Sequence, residues 1–158
     1  TLDDWADHLT TLFPDVRMKR FLEMRGADAG DFHQLRALPA LWVGLLYDAR
    51  AQSEAAALIA DWTESERQGL RDAVPRLGLA TPFRGRTLRE VAREVVSIAE
   101  AGLERRACFD RDGEDERKYL KPLIATVEAG RSPADRLLAD FHGPWRGDID
   151  RLFDAGAL

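Results

Sequence analysis

Between Val16 and Arg25 apolar and polar residues alternate with a period of two, and no other stretch of this 158-residue chain does so convincingly. Val16, Met18, Leu22 and Met24 share one face, interrupted by Arg20, while Arg17, Lys19, Phe21, Glu23 and Arg25 share the other. The spacing predicts one strand. A single strand cannot bury itself, so its partners are expected outside this sequence, and an unpaired edge would invite another chain. The first residue is Thr1 rather than methionine, which fits either a trimmed start or a piece of a longer protein.

Elsewhere helical spacing dominates. Leu2, Trp5, Leu9 and Leu12 form one stripe over 2–13, with Asp3 and Asp4 at the positive helix start. Residues 26–34 read as a loop. Pro39 suits the first turn of a buried helix over 40–47, followed by a helix over 52–62. Thr63 and Glu66 have capping-box spacing for a helix ending before Pro75, and 77–86 reads as a loop. Thr87 and Glu90 repeat the box and open the longest helix, which carries Leu88, Val91, Val95, Ile98 and Leu103 and is expected to stop at Asp112-Gly113. A helix over 114–129 follows, with Pro122 as a kink and Gly130 as its cap. Ser132-Pro133 opens another helix, and Asp148 caps a last turn through Phe153.

Composition narrows the function. With 45% hydrophobic and 32% charged residues the chain is a globular domain. Its longest apolar run, 37–47, is far shorter than the ~20 residues of a membrane span, and no secretory signal is expected. A net charge of -5 argues against nucleic-acid binding. One cysteine excludes an internal disulfide and a Cys-rich metal site, and makes a reducing, cytoplasmic compartment the default.

Few residues point to chemistry. His8, His33 and His142 lack metal-ligand spacing with one another. Cys108 lies near Arg105 and Arg106, but an inert thiol is the simpler reading. The arginines between Arg67 and Arg106 interleave with acids and read as a solvated face. Gly26 to Gly30 lacks the lysine of a phosphate loop. Glu23 and Arg25 differ: two residues apart on a strand, they project from one face at roughly 6.5–7 Å. A carboxylate can bind Mg²⁺ bridging nucleotide phosphates, and a guanidinium can neutralise a transferring phosphoryl group. A solvated edge or a structural ion pair fits the same two residues.

Longer runs carry a resemblance. Leu9-Thr10-Thr11-Leu12-Phe13-Pro14-Asp15-Val16-Arg17, then Lys19 to Asp28 and Leu38 to Asp48, resemble glutamate–cysteine ligases of the plant and proteobacterial type. So do Ala60-Asp61-Trp62-Thr63, Val74-Pro75 with Gly78-Leu79, Thr81-Pro82-Phe83-Arg84, Gly102-Leu103-Glu104-Arg105-Arg106 and Ser132-Pro133-Ala134 before Leu137-Leu138. The likeness is to the C-terminal third of such enzymes, and the stretch from Cys108 to Lys118 departs most from it. It implies ATP-dependent joining of the γ-carboxylate of L-glutamate to the amine of L-cysteine through an acyl phosphate, the first step of glutathione synthesis, with ATP and Mg²⁺.

The resemblance also implies a fold. The chain is expected to be mainly α, a helical C-terminal region with one or two strands belonging to a glutamine-synthetase-like α+β catalytic domain. It is expected to form a single domain over 1–158, with 1–30 as the strand and its flanking helix and 37–158 as the helical region. By motif, Glu23 looks like an Mg²⁺ ligand, Arg25 like the contact to the γ-phosphate and the phosphorylated intermediate, and Lys19 and Phe21 like residues lining the site. Asp28 reads as a turn residue, and Trp42 and Tyr47 as core packing. The expected partners are the two substrates and the remainder of the catalytic domain, with no membrane and with self-association open. Such a piece is expected to be inactive alone. A non-catalytic helical module, interacting or stabilising, is the competing reading.

Overall fold

The alternating segment folds back on itself in the computed structural model, which describes residues 1–11, 14–28 and 30–154. Strands β1 (Val16–Met18) and β2 (Leu22–Met24) pair antiparallel, with Val16 opposite Met24, Arg17 opposite Glu23 and Met18 opposite Leu22. The chain reverses over Lys19, Arg20 and Phe21, where the Lys19 N–H donates to the Phe21 carbonyl at 2.9 Å. One ten-residue strand was expected; there are two of three residues. Opposed residues of an antiparallel pair share a face, so this hairpin preserves the parity of a continuous strand. Period two alone cannot tell them apart.

A second hairpin was not expected. Strands β3 (Pro82–Phe83) and β4 (Arg86–Thr87) pair across Arg84 and Gly85, whose φ values of 49° and 78° are the consecutive positive angles of a tight hairpin turn. Two-residue strands are too short to show a period, so 77–86 reads as a loop.

Helix α1 (Leu2–Thr10) opens on a capping box, in which the Asp4 N–H donates to the Thr1 hydroxyl oxygen at 3.1 Å. Leu12 and Phe13, placed in this helix by the sequence, lie outside the described residues. Helix α2 (Phe32–Leu46) begins well before residue 40, because Asp31 caps it by accepting the Gln34 N–H at 2.8 Å. Pro39 therefore sits inside the helix, at the cost of a backbone hydrogen bond. Helix α3 (Ala49–Ile59) is capped by Asp48. Helix α4 (Glu64–Leu77) starts at the Thr63–Glu66 box and runs through Pro75 instead of ending before it.

Helix α5 (Leu88–Arg106) starts where Glu90 accepts the Thr87 N–H at 2.7 Å. It stops at Ala107, in the left-handed region with φ 51°, several residues short of Asp112-Gly113. The helix expected over 114–129 divides into a 3-10 turn (Glu116–Leu120) and α6 (Lys121–Ala129). Pro122 lies in the first turn of α6, where its missing N–H is harmless, so it makes no kink. Gly130, with φ 66°, ends α6 as expected. Helix α7 (Pro133–His142) uses the Ser132–Asp135 box, and α8 is the short turn Arg151–Asp154.

The core forms where α2 crosses α5, with the 3-10 turn, α3 and α6 against them. Two glycines make the crossing close. A Cβ at Gly44 would lie 2.9 Å from the Ala99 carbonyl carbon and closer still to its oxygen. One at Gly102 would overlap the Gly44 carbonyl oxygen and stand 3.0 Å from the Ala51 Cβ. Leu103 and Leu120 are fully buried beside this contact, and the partly buried Trp42 packs on it as expected. Tyr47 does not: it is 70% exposed, with the Arg106 guanidinium 5.5 Å from its ring centre. Its place at the C-cap of α2 carries it past the buried stretch. No described helix is long and apolar enough to cross a membrane.

Candidate functional site

The β1–β2 register decides what stands beside Glu23. Arg17 lies directly opposite, and its Nε donates to Glu23 Oε2 at 2.8 Å. Lys19 approaches the same oxygen, with Nζ at 3.9 Å, and its ammonium lies 6.0 Å from the ring centre of the exposed Phe21. The Arg25 N–H donates to the Asp15 carbonyl at 2.8 Å, extending the hairpin ladder by one step. Glu23 and Arg25 thus share the strand face that the sequence indicated, and Lys19 joins them at the turn.

Arg17 was not among the sequence candidates. Its role was legible only once the reversal at 19–21 is known, because pairing in a hairpin depends on where the chain turns. Its consequence is electrostatic. The hydrogen bond from Arg17 is the main cause holding the Glu23 carboxyl below its ordinary range, outweighing desolvation, with lesser help from the charges of Lys19 and Arg25. Glu23 is therefore anionic at neutral pH, ringed by three cations. Both close contacts fall on Oε2, and Oε1 has no hydrogen-bond partner among the described residues.

As a metal site this arrangement is one ligand, not a cage. The described residues contain no group of three or more His, Cys, Asp or Glu able to hold an ion. Mg²⁺ is commonly held by one or two carboxylates together with substrate phosphates and water. An ionised carboxylate with one uncommitted oxygen fits a single position of such a sphere.

The opposite face of the hairpin is apolar and open: Met18 is 82% exposed, and Val16 and Leu22 are about half exposed. Asp28 is exposed in the irregular segment after β2, and no turn is formed there. Cys108 is exposed and 3.7 Å from Arg106 Nη2. The arginine-rich region, expected as a solvated face with interleaved acids, is a network of ion pairs. Arg84 holds Asp61 and Glu66, Arg86 holds Glu94, and Arg93 grips Glu128 through two bonds of 2.9 Å. With Arg84 and Thr63 donating to it, the Glu66 carboxyl is held down to about 2.

Residues 1–155 match the model of glutamate-cysteine ligase family 2. The chloroplastic glutamate–cysteine ligase of Medicago truncatula is 49% identical over 154 residues, covering 98% of this chain and 29% of that protein. That of Nicotiana tabacum is 47% identical, covering 98% and 28%. That of Arabidopsis thaliana is 47% identical, covering 96% and 28%. The chain thus spans less than a third of the length of these curated relatives. Their chloroplastic names overturn the expected cytoplasmic compartment. A lone cysteine excludes internal disulfides but cannot separate one reducing compartment from another.

Proposed function

The chain belongs to glutamate-cysteine ligase family 2, and from that premise we propose that it supplies one wall of the catalytic centre of an ATP-dependent ligase. The reaction joins the γ-carboxylate of glutamate to the amine of cysteine. A carboxylate resists attack by an amine, so the γ-carboxylate first takes the γ-phosphoryl group of ATP, giving an acyl phosphate and ADP. The cysteine amine then adds to the acyl carbon, phosphate leaves with the electrons of the C–O bond, and the nitrogen loses a proton to give the amide.

The observation that carries this reading is the Arg17–Glu23 pair flanked by Lys19 and Arg25 on one face of the hairpin. Glu23, kept ionised, would hold Mg²⁺ through its carboxylate, and the ion would offset the negative charge of the nucleotide phosphates. Arg25 and Lys19 place positive charge where the phosphoryl group passes. Arg17 is a positioning residue, fixing the Glu23 carboxylate and its charge.

The test uses the protein at the full length of its relatives. Glu23→Gln and Arg25→Ala are each expected to lower kcat by roughly 10²–10³ while leaving the melting temperature unchanged. Wild-type turnover in either variant overturns the assignment. The 158 residues alone are expected to show no ligase activity. A separate core in the helical body favours one other reading, a stabilising module. That reading would prevail if both variants keep full turnover while disruption of the α2–α5 crossing abolishes it.

A further inference from the structure

Two arginines without an ion pair among the described residues share one cleft. Arg84, Arg86, Arg93, Arg105, Arg106 and Arg117 each hold a carboxylate. Arg131 and Arg136 hold none among the described residues, and both line one cleft of about 490 Å³ between the start of α2 and α6–α7, with Asp31, His33, Gln34 and Thr126. That volume falls within the range of small-molecule sites.

The neighbouring carboxylates are committed elsewhere. Asp135 Oδ2 accepts both the N–H and the hydroxyl of Ser132 at 2.7 Å, closing the α7 cap. Glu128 is gripped by Arg93. Asp31 Oδ1 accepts the Gln34 N–H as the cap of α2. His33 Nδ1 meets Arg36 Nη2 at 3.1 Å. A guanidinium nitrogen can only donate, so Nδ1 is the acceptor and Nε2 of the neutral ring carries a proton to donate. The cleft therefore presents two uncommitted guanidiniums and an imidazole N–H against a single carboxylate.

We propose that this cleft binds a small molecule carrying two anionic groups, carboxylate or phosphate, one to each arginine. Guanidinium forks match both groups in a bidentate manner, and the two arginine charges outnumber the one carboxylate, Asp31, that lines the cleft. The site is separate from the Glu23 hairpin and does not depend on the function proposed for it.

Titration of the 158-residue chain with glutarate and with inorganic phosphate, followed by amide NMR shifts, tests the proposal. Saturable shifts are expected around residues 31–34 and 126–136, with a Kd of about 1 mM or tighter. Arg131→Gln and Arg136→Gln should each weaken binding about tenfold or more. Arg111→Gln, which changes an arginine without an ion pair outside the cleft, and Glu23→Gln should leave it unchanged. Tighter binding of glutarate than of phosphate supports a ligand with two anionic groups, and binding of phosphate as tight as that of glutarate, a single group serving both arginines, overturns the proposal. Failure of both probes to saturate, or equal weakening by Arg111→Gln, overturns the proposal. Melting curves of both cleft variants, whose altered side chains are exposed, verify that each remains folded. If one fails to fold, the other carries the test.

Discussion

Residues 1–30 and the helical body from α2 to α7 solve the problem of burial in opposite ways. The body buries Leu45, Leu103 and Leu120 at a glycine-lined crossing of its own helices. The hairpin has one polar face carrying Glu23 and Arg25 and one apolar face that no described element covers. A two-stranded hairpin is marginal by itself, so it draws on its ladder and the Arg17–Glu23 pair. The candidate chemistry thus sits on the less self-sufficient region. Stability and site can be broken independently, and a substitution's effect tells which region it touches.

The largest effect is expected at the crossing. Gly102→Leu puts a branched side chain against the Gly44 carbonyl and Ala51, where backbone has no rotamer to give. A loss of about 3 kcal/mol or more is expected, seen as a lost or strongly lowered cooperative melt by circular dichroism. Gly26→Ala, beside the hairpin, meets nothing within 4 Å and should change the melt very little. Leu120→Ala comes next. Fully buried against Leu103 and its neighbours, it should cost about 2–5 kcal/mol. A small loss for either core substitution would show that the body is loosely packed and that the contrast is false.

How far each region could be read from sequence follows the range of the interactions. The capping boxes at Thr63–Glu66, Thr87–Glu90 and Ser132–Asp135 span three residues, and all three form. Pro39 misled because the start of its helix is set by the Asp31 cap, and Pro75 because a proline in the last turn removes one backbone bond without ending the helix there. The shared face of Glu23 and Arg25 was legible because parity survives the hairpin. The Arg17 partnership was not, since it requires the position of the turn. The Arg131–Arg136 cleft was invisible for a stronger reason: its walls come from α2, α6 and α7, and no local spacing joins His33 to them.

Acid should weaken the body through a smaller, electrostatic route. Glu66 joins the α4 cap to Arg84 in the β3–β4 turn, and its carboxyl is held down to about 2. Its folded value lies below its unfolded value near 4.5, so its contribution is complete above that pH and disappears as the pH falls through the window towards 2. The wild type should melt above Glu66→Gln at pH 7, and the two curves should converge across that window. Parallel curves at every pH would show that the Glu66–Arg84 pair contributes nothing to folding.

The smallest expected effect is also the sharpest test of the contrast. Met18→Ser changes the most open position of the apolar hairpin face. In the 158-residue chain it exchanges one solvated side chain for another and should move stability by less than about 0.5 kcal/mol. In a protein of the full length of the relatives, the proposed remainder of the catalytic domain lies against this face. The same serine then loses apolar contact and buries a hydroxyl, at about 1–3 kcal/mol. A sizeable loss already in the short chain would mean that the hairpin is packed within these residues. Two equally small effects would mean that the face meets solvent in both proteins, and the remainder of the domain would have to reach Glu23 across the polar side alone.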